Sequence, residues 1–191
     1  LSDCLKHSCP EIRLTPANRF SSFWPTDAAH CPHPSTQKGK NMSEWRVYLS
    51  GEIHTDWREQ IVSATEVAGL PVSFSAPVTN HEASDDCGAA ILGGEDKKFW
   101  YDHKGAKVNA IRTRTLIEKA DIVVVRFGDK YKQWNAAFDA GYASALGKSL
   151  IILHDPSLTH PLKEVDAAAL AVAETPDQIV KILNYVINAE L

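Results

Sequence analysis

The segment 134–147, WNAAFDAGYASALG, is built almost wholly of apolar and small residues, yet it carries one carboxylate, Asp139, near its middle. A helix of this composition belongs in an interior, where a carboxylate is costly unless it is paired or hydrogen-bonded. Asp139 is therefore either a structural hydrogen-bond hub or an acid on a helix that points into a ligand crevice. Asn135 lies four residues earlier and shares its helical face. Asp139 falls in the second turn, where the helix N-terminus still favours an anion modestly. Gly141 and the neighbouring alanines would let backbone or ligand come close.

The other residues capable of chemistry fall just beyond apolar, strand-like runs. Gly51, Glu52 and His54 follow or close RVYLSG, and Thr79, Asn80 and His81 follow LPVSFSAP. Arg126 and Asp129 sit at and after DIVVVRF, and His154 and Asp155 at and after SLIILH. The opposite ends carry AGL, EKA and LGK, which is ordinary turn chemistry. A metal-assisted hydrolase would draw on Glu52, His54, His81, Asp85, Asp86 and His154, but no H-x-x-x-H or comparable ligand spacing supports it, and paired aspartates more often cap a helix. Lys104, Lys107, Arg112 and Arg114 form a basic stretch that either binds a phosphate or solvates a helix face. Trp134 opens the Asp139 helix and is either core or a platform for a base.

These residues need elements to position them. The sequence predicts a strand over 46–51, a helix from Thr55 or Asp56 to Ala68, and a strand over 70–77. A long polar connection over 78–103 holds a short helix near 86–94. Then come a helix over 104–119, a strand over 121–127, the Asp139 helix, a strand over 149–154, a short strand over 169–174, and a last helix that begins at Thr175 and Pro176. Alternating strands and helices define an α/β chain with a parallel sheet. Five strands fit a flavodoxin-like, Rossmann-like three-layer fold of order 2-1-3-4-5. In open sheets of this kind ligands bind beyond the carboxyl ends of the strands, where strand order reverses. That is the edge on which the polar residues fall. No G-x-G-x-x-G follows the first strand and no P-loop occurs, so neither a nicotinamide cofactor nor a P-loop nucleotide site is expected. No cofactor or metal is expected at all.

Residues 1–41 differ in composition, with five of the ten prolines and three of the four cysteines. No apolar period survives the prolines, so 1–43 is expected to be a leader outside the native fold, with a single domain over 44–191. The ordered pattern begins next to the sole methionine, Met42. A zinc site on Cys4, Cys9, Cys31 and nearby histidines has spacings that match no common ligand pattern. The net charge of −4 gives no basic footprint for nucleic acid. No apolar run is long enough for a membrane span. Cysteine usage suits a reducing, cytoplasmic setting.

The runs VYLSGEIHTDWR, SFSAPVTNHEASDDCG, HKGAKVNAIRTRTLIEKADIVVVRFGDKYKQWNAAFDAGYASALGK and KEVDAAALAVAETP resemble the YtoQ family of bacterial and fungal proteins. That family in turn resembles nucleoside 2-deoxyribosyltransferases and deoxynucleoside 5′-monophosphate N-glycosidases. The resemblance implies a flavodoxin-like fold, a small-molecule nucleoside or nucleotide partner and a homo-oligomer. In those enzymes the helix after the third strand reads Asp-x-Gly-x-x-x-Glu-x-Gly, and its Glu attacks the anomeric carbon. Asp139 falls at the Glu and Gly141 at the following Gly. Tyr48 falls where a tyrosine hydroxyl orients the nucleophile.

The chain departs from that pattern. The attacking acid is one methylene shorter, the helix's leading Asp is Gln133, and an acid before the third strand is replaced by Thr113. The resemblance implies N-glycosidic cleavage or transfer, with Asp139 as nucleophile and Tyr48 orienting it. Glu52 and His54 would line the sugar pocket, and Gly51 and Asn135 would also bind substrate. Asn80, His81 or Asp129 would act on the leaving base, and Arg112 and Arg114 would hold a phosphate. The departures leave open a nucleotide-binding module of the same fold without chemistry.

Overall fold

The structure is a computed structural model that describes residues 44–190 except 131 and 132. The leader expected over 1–43 lies outside the described residues. Five strands, β1 (Trp45–Gly51), β2 (Val72–Ser75), β3 (Ile122–Phe127), β4 (Ser149–His154) and β5 (Ala171–Ala173), form one sheet of order β2-β1-β3-β4-β5. All four pairings are parallel. This is the flavodoxin-like order.

The central strands are apolar on both faces because helices cover both. Side chains alternate across a strand. Val47 and Leu49, Ile122 and Val124, and Ile151 and Leu153 point to one face. There they meet Trp57 and Ile61 of α1 (Trp57–Val67) and Ile179 and Leu183 of α6 (Pro176–Asn188). Tyr48, Val123, Val125, Leu150 and Ile152 point to the other face. They meet Ile117 of α3 (Lys98–Lys119) and Ala136, Ala140 and Ala143 of α4 (Trp134–Ala145). The alanines thus account for the small-residue composition of α4: they seat it against the sheet. A short α5 (Lys163–Ala167) lies between β4 and β5. The start of α6 follows the sequence reading, with Pro176 in its first turn and a capping box between Thr175 and Gln178.

The connection over 78–103 departs from expectation. It is mostly helical: α2 spans His81–Leu92, and α3 begins at Lys98, six residues earlier than expected. Asn80 starts α2 by accepting a hydrogen bond from the Ala83 amide at 2.8 Å. The two helices pack together at glycines. A Cβ on Gly88 would lie 2.1 Å from the Gly105 nitrogen, and a Cβ on Gly105 would lie 2.9 Å from the Asp85 carbonyl oxygen. These two glycines are the contact between the two helix backbones.

At the carboxyl edge, Gly51 closes β1 with φ of 101°, and a Cβ there would meet the Arg126 carbonyl oxygen at 2.0 Å. The turn that follows is held by α1. Arg58 is buried and donates from Nε to Leu49 O, from Nη2 to Gly51 O and from Nη1 to Glu52 O, at 3.1, 3.0 and 2.6 Å. Trp57 Nε1 also donates to Glu52 O, at 2.8 Å. These bonds satisfy carbonyls that the sheet ladder no longer reaches.

Candidate active site

A crevice of about 870 Å³ opens beyond the carboxyl end of β1. One side is the β1–α1 turn with Ser50, Gly51, Glu52 and His54. A second is α3, and a third is the start of α4 with Gln133, Trp134, Asn135 and Asp139.

Asp139 borders this crevice and is only 9% exposed. Its Oδ2 accepts a hydrogen bond from Ser50 Oγ at 2.5 Å. No other hydrogen bond reaches the carboxylate among the described residues. Burial pushes the Asp139 pKa up, and the Ser50 hydrogen bond opposes the rise without cancelling it.

Tyr48 does not hold the carboxylate. It is fully buried, and among the described residues its hydroxyl has no hydrogen-bond partner of good geometry, with the Thr113 side chain nearby. Burial pushes its pKa up to about 12; Asp139 adds to the rise, while neighbouring Thr113 opposes it. The orienting bond expected from Tyr48 comes instead from Ser50, two residues along. The reason is strand geometry: residues 48 and 50 share a face of β1, and Ser50 is the one nearer the carboxyl edge where Asp139 lies. Sequence reading missed Ser50. The signal available was its i+2 spacing from Tyr48.

Glu52 is buried and orders the turn. Its carboxylate accepts from the His54 amide and from Thr55 Oγ1 at 2.6 Å, and lies 3.6 Å from Arg126 Nε. Burial raises its pKa, but these hydrogen bonds and the Arg126 charge outweigh that, and the net shift is downward. Arg126 Nε itself is buried without a hydrogen bond among the described residues. Gly128 passes so close that a Cβ would meet Glu52 Cγ at 2.5 Å. Gln133 ties the β3–α4 loop: its Oε1 accepts from Gly128 N at 3.0 Å and its Nε2 donates to Lys130 O at 2.9 Å.

The remaining candidates divide. Gly51, His54, Asn135, Arg112 and Arg114 line the crevice with Asp139 and Glu52. Asn80 is exposed, serves as the α2 cap and does not line it. His81 is exposed and pairs with Asp85 at 3.1 Å. Asp129 borders a separate small cavity of about 120 Å³ beside Glu52 and Arg126. Gly141 lies on the exposed side of α4, where a Cβ would meet nothing within 4 Å, so close approach there is not what requires glycine.

The proposed metal ligands do not converge. His154 is buried, with Nε2 3.2 Å from Asp166 and Nδ1 2.7 Å from Asp155 O. Asp86 accepts a hydrogen bond from Tyr101. Among the described residues no group of three His, Cys, Asp or Glu could hold a metal ion. No helix among them is long and apolar enough to cross a membrane.

A doubly wound parallel sheet with a buried carboxylate beside a crevice at the strand-order reversal defines an α/β domain of the flavodoxin-like class, and the crevice lies where open sheets of this kind hold their ligands. A family model described as nucleoside 2-deoxyribosyltransferase YtoQ matches residues 48–187, and the chain belongs to that family. It is 46% identical over 147 residues to the uncharacterized protein YtoQ of Bacillus subtilis (strain 168), covering 77% of this chain and 99% of that one. Among solved structures, it is similar to a 2-deoxyribosyltransferase from Bacillus psychrosaccharolyticus. That similarity has a TM-score of 0.44 and 18% identity, over 71% of this chain and 90% of the other.

Proposed function

We propose that this protein cleaves or transfers the N-glycosidic bond of a nucleoside or nucleotide. The observation that carries the reading is the Ser50–Asp139 pair: a carboxylate beside the crevice, held through one oxygen, with no hydrogen bond to the other among the described residues. That second oxygen is the nucleophile for the anomeric carbon. As the C–O bond forms, the C–N bond breaks and its electron pair leaves with the base, which takes up a proton. Water or a second base then displaces Asp139 from the sugar and restores the carboxylate. The transition state has oxocarbenium character, so a fixed anion beside it is stabilising even before bonding is complete.

The shorter side chain of Asp139 makes positioning critical, because in-line attack needs the reacting atoms about 3 to 3.5 Å apart. Ser50 supplies that positioning. Asn135, one turn ahead of Asp139 on the same helix face, and His54 are the polar side chains of the crevice suited to sugar hydroxyls and base. Tyr48 remains a protonated packing residue under the site.

The test is incubation of the full chain with ribo- and deoxyribonucleosides and their 5′-monophosphates, with free base followed by chromatography. Base release that disappears in Asp139→Ala supports the reading. Release that survives the substitution removes Asp139 from the chemistry. Ligand binding without release from any substrate leaves a binding module of the same fold.

A further inference from the structure

The proposed reaction uses one anion of the crevice and none of its cations. Five of them, Lys98, Lys107, Arg112, Arg114 and Lys130, line it, although the chain as a whole is acidic, with a net charge of −4. Lys98 is neutralised by Asp102 at 3.0 Å. The other four have no carboxylate partner among the described residues. The acids of the crevice, by contrast, are mostly engaged: Glu52 with Arg126, Asp85 with His81 and Asp102 with Lys98, which leaves Asp139. A cavity lined by cations without counter-charges is suited to an anionic ligand.

Arg112 is the best placed of the four. It lies on α3 next to Thr113, which neighbours the Tyr48 hydroxyl, and its charge reaches Tyr48 alongside that of Asp139. Its Nη2 donates to Ala76 O at 3.3 Å, which anchors the side chain at the end of β2 and leaves the rest of its planar donor fork without a hydrogen-bond partner among the described residues. A guanidinium held this way matches the oxygens of a phosphate, and as a cation that never deprotonates it keeps that match across pH.

We propose that the substrate is phosphorylated, a nucleoside 5′-monophosphate, with Arg112 as the phosphate anchor and Lys107, Arg114 and Lys130 supplying the surrounding field. This rests on the N-glycosidic reading of the same site and narrows it.

The experiment is calorimetric titration of the full chain carrying Asp139→Ala, which prevents turnover, with deoxynucleoside 5′-monophosphates, the matching nucleosides and inorganic phosphate. The expected result is that the monophosphate binds roughly 10- to 100-fold more tightly than its nucleoside, the span of one charge-assisted hydrogen bond. Added Arg112→Ala should close most of that gap, Arg112→Lys should restore part of it, and inorganic phosphate should compete. Circular dichroism establishes that each variant is folded. Equal affinity for nucleoside and monophosphate, no binding of either, or an Arg112→Ala loss that is the same for both ligands overturns the inference. Tight monophosphate binding to this variant, with no base release by the wild-type chain, instead sinks the N-glycosidic reading and leaves the phosphate site standing.

Discussion

Ser50 and Asp139 are 89 residues apart in sequence, yet the serine hydroxyl donates to the aspartate Oδ2 at 2.5 Å in the interior. The bond fixes one carboxylate oxygen of a residue that lines the crevice. It also lowers an Asp139 pKa that burial raises. Ser50→Ala is therefore expected to reduce base release roughly 10- to 100-fold, the scale of a lost hydrogen bond to a charged group. The acidic limb of the pH–rate profile should move to higher pH, because the ionised form loses its donor. A purely structural serine would lower the rate without moving that limb.

Stability should respond to the same carboxylate. The Asp139 pKa is raised in the folded chain, so the folded state keeps its proton to higher pH than the unfolded state does. Stability from this group is fully present below the ordinary aspartate pKa and declines as pH rises through the folded value. Asp139→Asn, which does not titrate, should melt above wild type at pH 7. The difference should shrink toward pH 4. A constant difference across that range would show that ionisation is not its source.

Tyr48→Phe removes a buried hydroxyl that makes no hydrogen bond of good geometry among the described residues. Deleting an unsatisfied polar atom relieves its desolvation cost, so the variant should be as stable as wild type or more stable in urea unfolding. Base release should stay within about threefold, because Ser50 makes the orienting bond. A loss approaching that of Ser50→Ala would return the orienting role to Tyr48.

Gly51→Ala should be among the most damaging single changes. The added Cβ would overlap the Arg126 carbonyl oxygen, and the backbone conformation disfavours any side chain. Overpacking and positive φ together cost on the order of 3 kcal/mol or more. The expected readout is a large fall in the denaturation midpoint.

Gly88→Ala tests the α2–α3 crossing. Its Cβ would meet the Gly105 backbone, so the helices must separate, at a cost of about 1–3 kcal/mol. Since α3 forms a wall of the crevice, ligand affinity should fall with stability. Unchanged affinity in a folded, destabilised variant would show that the wall is set elsewhere.

The sequence by itself determined the sheet. Continuous apolar runs such as IVVV and LIIL can only be strands covered on both faces, and their alternation with helices leaves few parallel orders. It also determined that Asp139 is an acid on an apolar helix, and that polar residues gather at one edge. The tertiary structure decided which of them meet. Glu52 and His54 reach the crevice with Asp139, while Asn80 caps α2, His81 pairs with Asp85, and His154 is held by Asp166. Caps and surface pairs use the same residue types as ligand sites, and one-dimensional spacing cannot separate them. The helical hairpin over 81–119 was only half legible, because its decisive contact is between two glycines that carry no pattern of their own. The Ser50–Asp139 bond lay beyond local reading for a related reason: β1 and α4 become neighbours only when the chain inserts β3 beside β1.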